Sequence, residues 1–397
     1  MRPREGMGAS ARTPAPQTQQ SADFAPRRST LKSRAWSARP DSALRRDGRR
    51  IPDLSAACST VTMWVSDKGA PPDGPGGRGR RVLRALLLCT GDMAQLRKSM
   101  DKQPFLLQLV EWSLRGVSRV ILANNPLSGA VILGALLMHS PWQALLGLMG
   151  LLASTLTALI IGQDSTFLFS GLSALLDRWD LPVSVFPFNT AILLYLACTG
   201  PTNPYFPHHP ATPPGALQDT NATLHIPQLL QGVVLGVGQI YACGTLWPSV
   251  LILAAVLLFS PLLCVHALLG SAAGTLAGLS VAVRPSSLYS GLSGFNGALG
   301  CMSVGGLFFT ISWKTHLFSL ASAFLSAYAD IALSNLLATV ALPACSWAAT
   351  LTATLMLLLT AQNLSSYRIP MGRVTTPEQN LRTHGHWTGG TTESTDV

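Results

Sequence analysis

From Leu229 to Val283 the chain runs through 55 residues without an Asp, Glu, Lys or Arg. So long an uncharged stretch is poorly suited to water, whereas about 20 apolar residues suffice to cross a bilayer. Two such runs precede it, Leu127 to Ile161 and Leu181 to Thr199, and two follow, Pro285 to Trp313 and Ile331 to Tyr367. The composition agrees: charged residues are 12% of the 397, about half the share of a soluble domain, and mean hydropathy is +0.33. Several runs exceed one crossing and must fold back. His139 to Trp142 (HSPW) and Ser260-Pro261 are the natural breaks, because proline lacks an amide donor and disfavours helix in the residue before it. The expected class is an all-α, multi-pass membrane protein.

The net positive charge is concentrated at one end. Residues 1 to 100 carry 19 Lys+Arg against 8 Asp+Glu, while the whole chain has a net charge of +10. A basic arm can face nucleic acid or anionic lipid. Beside so many apolar runs, the positive-inside rule explains it more simply, with the arm in the cytosol and no nucleic-acid partner. Residues 1–87 are rich in Arg, Ser, Pro and Gly, a composition expected to stay disordered, and they lack the apolar core of a secretory signal. The seven cysteines show no metal-ligand spacing, and Cys264 with His266 reads as buried packing, so no metal or cofactor is expected.

The apolar region repeats itself. Adding 120 to positions in Leu114 to Ser173 lands on similar residues: Gly116-Val117 on Gly236-Val237, Ile132-Leu133 on Ile252-Leu253, Ser140-Pro141 on Ser260-Pro261, and Ser170-Gly-Leu-Ser173 on Ser290-Gly-Leu-Ser293. Beyond that point the offset becomes 161, matching Leu181-Pro182 with Leu342-Pro343 and Thr199 with Thr360. The first copy is therefore expected to lack about 41 residues, whose counterparts lie near Gly294 to Asn335. The expected units are 88–200 (first, shortened repeat), 201–227 (a Pro-rich loop), 228–366 (second repeat) and 367–397 (cytosolic tail). Asn221-Ala-Thr223 is a glycosylation sequon, which suggests that the loop faces outside.

Paired halves commonly build a solute path at their interface from short or broken helices. LRGVSRVILANNP and VLGVGQIYACGTL each suit a helix that enters the bilayer partway and turns back, and LPVSVFPF and LPACSWAA interrupt apolar runs, freeing carbonyls and hydroxyls. With no ladder of intramembrane charges, such groups fit passive passage of a small, neutral, amide-like solute, and no reaction chemistry is indicated. Asp330, the one acid between Lys314 and Arg368, reads as a helix-end or structural partner rather than an ion-coupling group. Gly270, Gly274 and Gly278 read as a helix-packing ladder.

Longer strings carry a family likeness. TGDM at Thr90, DKQPFLLQLVEWSLRGVSRVILANNPLSG from Asp101, WDLPVSVFPFN at Trp179, GVGQIYAC at Gly236, SGLSGFN at Ser290, LPACSW at Leu342 and RVTTPEQN at Arg373 together resemble the vertebrate urea transporter family. The resemblance implies passive, channel-like urea conduction in the plasma membrane. It also implies a homotrimer with one pore per subunit, between two inverted repeats with re-entrant pore helices. Carried onto this chain, it places Gln239 at the second pore helix, with Arg119 at the equivalent position of the first half. The first Leu-Pro box keeps Leu181, Pro182 and Phe188 with Val185 in place of threonine; the second keeps Leu342 and Pro343 with Ser346; Phe295-Asn296 is present once. The alternative function, motivated by Arg119, Val185 and the missing stretch, is a non-conducting or regulatory member of the same family.

Overall fold

A computed structural model describes residues 89–100, 102–161, 175–176, 178–183, 185–205, 224–359 and 367–381. These lie within one compact unit, residues 53–397. In chain order the helices are α1 (Ala94–Met100), α2 (Phe105–Arg119), α3 (Pro126–His139), α4 (Pro141–Ile161) and α5 (Phe186–Thr199). There follow α6 (Ile226–Gly238), α7 (Leu246–Phe259), α8 (Pro261–Ser280), α9 (Pro285–Tyr289), α10 (Phe295–Met302), α11 (Trp313–Ala338) and α12 (Trp347–Leu358). An isolated antiparallel β-bridge joins Phe309 and Arg368.

The helix boundaries obey the sequence repeat. Shifted by 120, the starts of α3 and α4 fall on the starts of α7 and α8, and α2 falls on α6 with its short 3-10 extension Gln239–Tyr241. The chemistry of the breaks explains why. Pro126, Pro141 and Pro261 each take the first helical position, where the missing amide costs nothing. Asn125 caps α3 by accepting from Leu127 N (2.8 Å) and Ser128 N (3.0 Å), and Ser260 caps α8 by accepting from Leu263 N (3.0 Å). Such caps are worth about 1 kcal/mol each.

The two copies meet along α3 and α7. Near the start of α3 the Ser128 hydroxyl donates to Ala255 O (2.7 Å), late in α7, while His139 Nδ1, at the end of α3, lies 2.9 Å from Thr245 Oγ1, just before α7. The equivalent helices are thus antiparallel. Their shared core draws on equivalent positions of both copies: Ile132 and Ile252, Ala135 and Ala255, and Ala123 and Cys243 all belong to one buried cluster. Tyr241, beyond α6, donates its hydroxyl to Val117 O of α2 (2.7 Å).

After α4 and α8 the halves diverge. The start of α5 matches the start of α12 at an offset of 161, and α9, α10 and α11 have no counterpart helix among the described residues of the first half. The consequence shows on α8. Its small residues Gly270, Ala273, Gly274, Ala277 and Gly278 let α10 and the turn before it come close: a Cβ at Gly270 would stand 2.5 Å from Cys301 Cβ and 2.8 Å from Ala298 Cα. In lipid, where apolar burial between helices gains little, this close van der Waals packing is the main attraction. Helix α4 keeps the same small pattern as Gly150, Ala153, Ser154 and Thr157, yet all four are exposed, and a Cβ at Gly150 meets nothing within 4 Å among the described residues.

Among the described residues two helices, α8 and α11, are long and apolar enough to cross a membrane; a third crossing is reached if α6 and α7, bent by 75° at their junction, count together. The segment 162–174, with the first Ser-Gly-Leu-Ser, and Asn221 lie outside the described residues.

Candidate functional site

A cavity of about 1270 Å³ lies between the two halves, larger than the usual 300–1000 Å³ of a small-molecule pocket. It is framed by the elements that the sequence marks as broken: the ends of α2 and α6, both Leu-Pro boxes, and the start of α10. Of the residues expected at a solute path, Arg119, Pro182, Val185, Phe188, Gln239, Phe295, Pro343 and Ser346 line it. Leu181 does not: it is buried beside Val304, Phe309 and Leu357. Neither Leu342 nor Asn296 lines it either. Asn296 is fully buried and acts as a brace, donating to Cys345 O (3.1 Å) and accepting from Ala349 N (3.2 Å), so that α10 holds the second box in place.

The pore-helix position differs between halves in more than charge. Gln239 is held by its Nε2, which donates to Ser290 O (2.9 Å) in the second Ser-Gly-Leu-Ser turn, leaving its carbonyl oxygen as an acceptor. Arg119, at the equivalent place, is exposed at the cavity. Close to it is Asp92, from the segment ahead of α1. Burial pushes the Asp92 carboxyl above the usual carboxylate range, and the guanidinium groups of Arg115, Arg97 and Arg119 oppose the shift.

Two features escaped the sequence reading, and a third is placed differently from its expectation. Asn189, fully buried in α5, accepts from the Ser346 hydroxyl (3.1 Å) and approaches Thr350 Oγ1 (3.4 Å), which ties the first box to the second. Its position immediately after Pro187-Phe188 was the available signal. Arg115, 4% exposed, pairs with Glu111 and also donates to Asp92 O (2.8 Å) and Asn124 O (2.7 Å). Their i, i+4 spacing in α2 reads equally well as a surface pair, so burial could not be foreseen. Asp330, expected at a helix end or as a structural partner, lies inside α11, eight residues before its end, and lines the cavity. A helix-end role is therefore corrected: the helix continues because nothing between Asp330 and Ala338 breaks it.

The C-terminal segment closes the arrangement. Glu378 accepts from Ser260 Oγ (2.7 Å) and Leu262 N (3.2 Å) at the start of α8, while Asn380 Nδ2 donates to Gly306 O (2.9 Å). Arg368 donates to Asp180 O (2.7 Å) and Leu357 O (3.1 Å), joining the two boxes' helices. Met371, Val374 and Thr375 thereby reach the cavity wall.

Sequence comparison places this architecture. The family described as Urea transporter matches residues 110–174 and 164–361. The chain belongs to the urea transporter family. It is 39% identical over 351 residues to "Urea transporter 1" of Ovis aries, covering 77% of this chain and 91% of the relative. The protein of the same name from Rattus norvegicus is 39% identical over 348 residues, covering 76% and 91%, and that of Mus musculus is 38% identical over 348 residues with the same coverage. The family match breaks into two pieces that overlap at 164–174, just before the repeat offset of this chain changes. A family of transporters gives no ground for reading the cavity as a catalytic centre.

Proposed function

We propose that this chain conducts urea passively across the plasma membrane, through the cavity between two inverted repeats. The observation that carries the reading is the convergence on one cavity of Gln239, Ser346 and both proline boxes, in a chain of this family. Urea must leave water to enter such a space, and each unreplaced hydrogen bond costs roughly 2–7 kcal/mol. The anchored Gln239 amide, the Ser346 hydroxyl and carbonyls freed at the Leu-Pro breaks are suited to replace them, between walls such as Phe295 and Phe188. The antiparallel pairing of α3 with α7 supports inversion of the repeats, and small-residue faces support helix packing in lipid. In this reading residues 1–87 and 382–397 are cytosolic, 201–227 is outside and glycosylated at Asn221, and the active assembly is a homotrimer.

The shortened first repeat belongs to the same proposal. The alignment with the sheep relative runs over 351 residues yet uses 77% of this 397-residue chain, which supports a gap on this side. The uncovered small-residue face of α4 is what loss of an α10-like partner leaves behind. These observations also favour a second reading, a non-conducting member that modulates full-length relatives.

Urea uptake into proteoliposomes that contain the purified protein separates the two. Conduction predicts uptake above that of protein-free vesicles, inhibited by urea analogues. Uptake equal to protein-free vesicles, with protein insertion verified, refutes conduction. The second reading then requires co-reconstitution to change the flux of a full-length relative.

A further inference from the structure

Three charged side chains line the cavity, Asp92, Arg119 and Asp330, and a path for a neutral solute needs none of them. Asp330 is 7% exposed, sits inside α11 and lines the cavity. The groups that hydrogen-bond to it are neutral: the Ser334 hydroxyl, one turn on, at 3.4 Å, and the side chain of Asn296 on α10. The two salt bridges found among the described residues, Glu111 with Arg115 and Asp180 with Arg368, leave it out. Arg119, the cation on the same cavity, has Asp92 as its nearby acid.

We propose that Asp330 makes this cavity a binding site for small cations of the guanidinium type, held by planar N–H donors on its carboxylate. The proposal rests on the reading of the cavity as a solute site, but not on urea conduction. A carboxylate buried without a cation is costly, and a solute that supplies both the charge and two parallel N–H donors removes that cost. Guanidinium has the planar shape and paired amino groups of urea, with a third N–H donor group in place of the carbonyl. It is weakly hydrated, so it gives up water to an apolar space more readily than an ammonium ion does. Phe295, whose ring can attract a cation, lines the same cavity. A bare sodium ion would need several more oxygen ligands around the one carboxylate.

The test uses the purified full-length protein in detergent, with guanidinium chloride at millimolar concentration against sodium chloride of equal ionic strength. Binding is read by calorimetry and by the shift in thermal midpoint. The expected result is saturable guanidinium binding by the wild type, weakened at least tenfold in Asp330→Asn. The Asn variant has the same shape without the charge, and its thermal midpoint without ligand reports whether it folds. Ser334→Ala, which leaves the carboxylate intact, should bind within about threefold of wild type. Should Asp330→Asn not fold, Asp330→Glu serves in its place, and retained saturable binding is then expected. No saturable binding by the wild type, equal affinity in a folded Asp330→Asn, or loss of binding in a folded Asp330→Glu overturns the proposal. Urea uptake by wild-type vesicles is scored separately: guanidinium binding that depends on Asp330 without urea uptake sinks conduction alone, and urea uptake without guanidinium binding sinks this inference alone.

Discussion

Substituting alanine at Gly150 and at Gly270, which occupy equivalent positions in α4 and α8, tests whether the first repeat lacks a partner helix. Both are glycines inside helices, so the gain in helix propensity, up to about 1 kcal/mol, is nominally common to the two and drops out of the comparison. What differs is the surroundings. At Gly270 the added carbon would stand 2.5 Å from Cys301 Cβ and 2.8 Å from Ala298 Cα, against an unstrained carbon separation of about 3.5–4.0 Å. Both obstacles are fixed to the backbone of α10, so neither can rotate aside, and the helices must part. Overpacking of this kind costs about 1–3 kcal/mol, and the upper end applies where backbone must move. At Gly150 no described atom lies within 4 Å. Gly270→Ala is therefore expected to unfold more readily than Gly150→Ala by about 3 kcal/mol. The thermal midpoints of detergent-purified variants should differ by several degrees, with Gly150→Ala at or above wild type. If Gly150→Ala is destabilised as much as Gly270→Ala, α4 is covered and the argument for a missing partner fails.

Other outcomes follow from single contacts. Arg119→Gln, which restores an amide where the second half has one, is expected to raise urea uptake several-fold in proteoliposomes; unchanged or lower uptake would show that the charge does not obstruct the path. Glu111→Gln leaves Arg115 buried without its counter-charge and should cost about 3–5 kcal/mol, read as a lowered thermal midpoint. Asn189→Ala removes the acceptor of Ser346 and should cost about 1–3 kcal/mol, again read by thermal midpoint, with uptake falling as the two boxes lose their tie. Asn125→Ala removes the α3 cap and the bonds to Cys89 O and Gly91 O (2.8 and 2.7 Å), so proteolysis near residues 89–91 should accelerate.

Much of the architecture was legible without coordinates, because its signals are local or periodic. Prolines at 126, 141 and 261 start helices by removing an amide, and the 120-residue offset reappeared in the helix bounds since equal sequence makes equal breaks. The change of offset to 161 is the basis for expecting α10 and α11 to lack a first-half equivalent. The resemblance supplied the cavity residues around Gln239 and Ser346, but not which neighbouring side chains face it. Leu181 and Asn296 share motifs with lining residues and point elsewhere, because successive side chains of a turn or a helix leave the backbone in different directions.

Sequence alone thus determined the lipid-facing class, the duplication and the family, all of which follow from composition and the order of residues along the chain. Tertiary structure decided which charges are sheltered and what they meet. Glu111 and Asp330 are both single acids in apolar helices. One is neutralised by Arg115 a turn away, while the other faces a cavity framed by α2, α6, α10 and both Leu-Pro boxes, segments separated by tens of residues in the chain. Burial and pairing are properties of the assembled surroundings, and no local pattern encodes them.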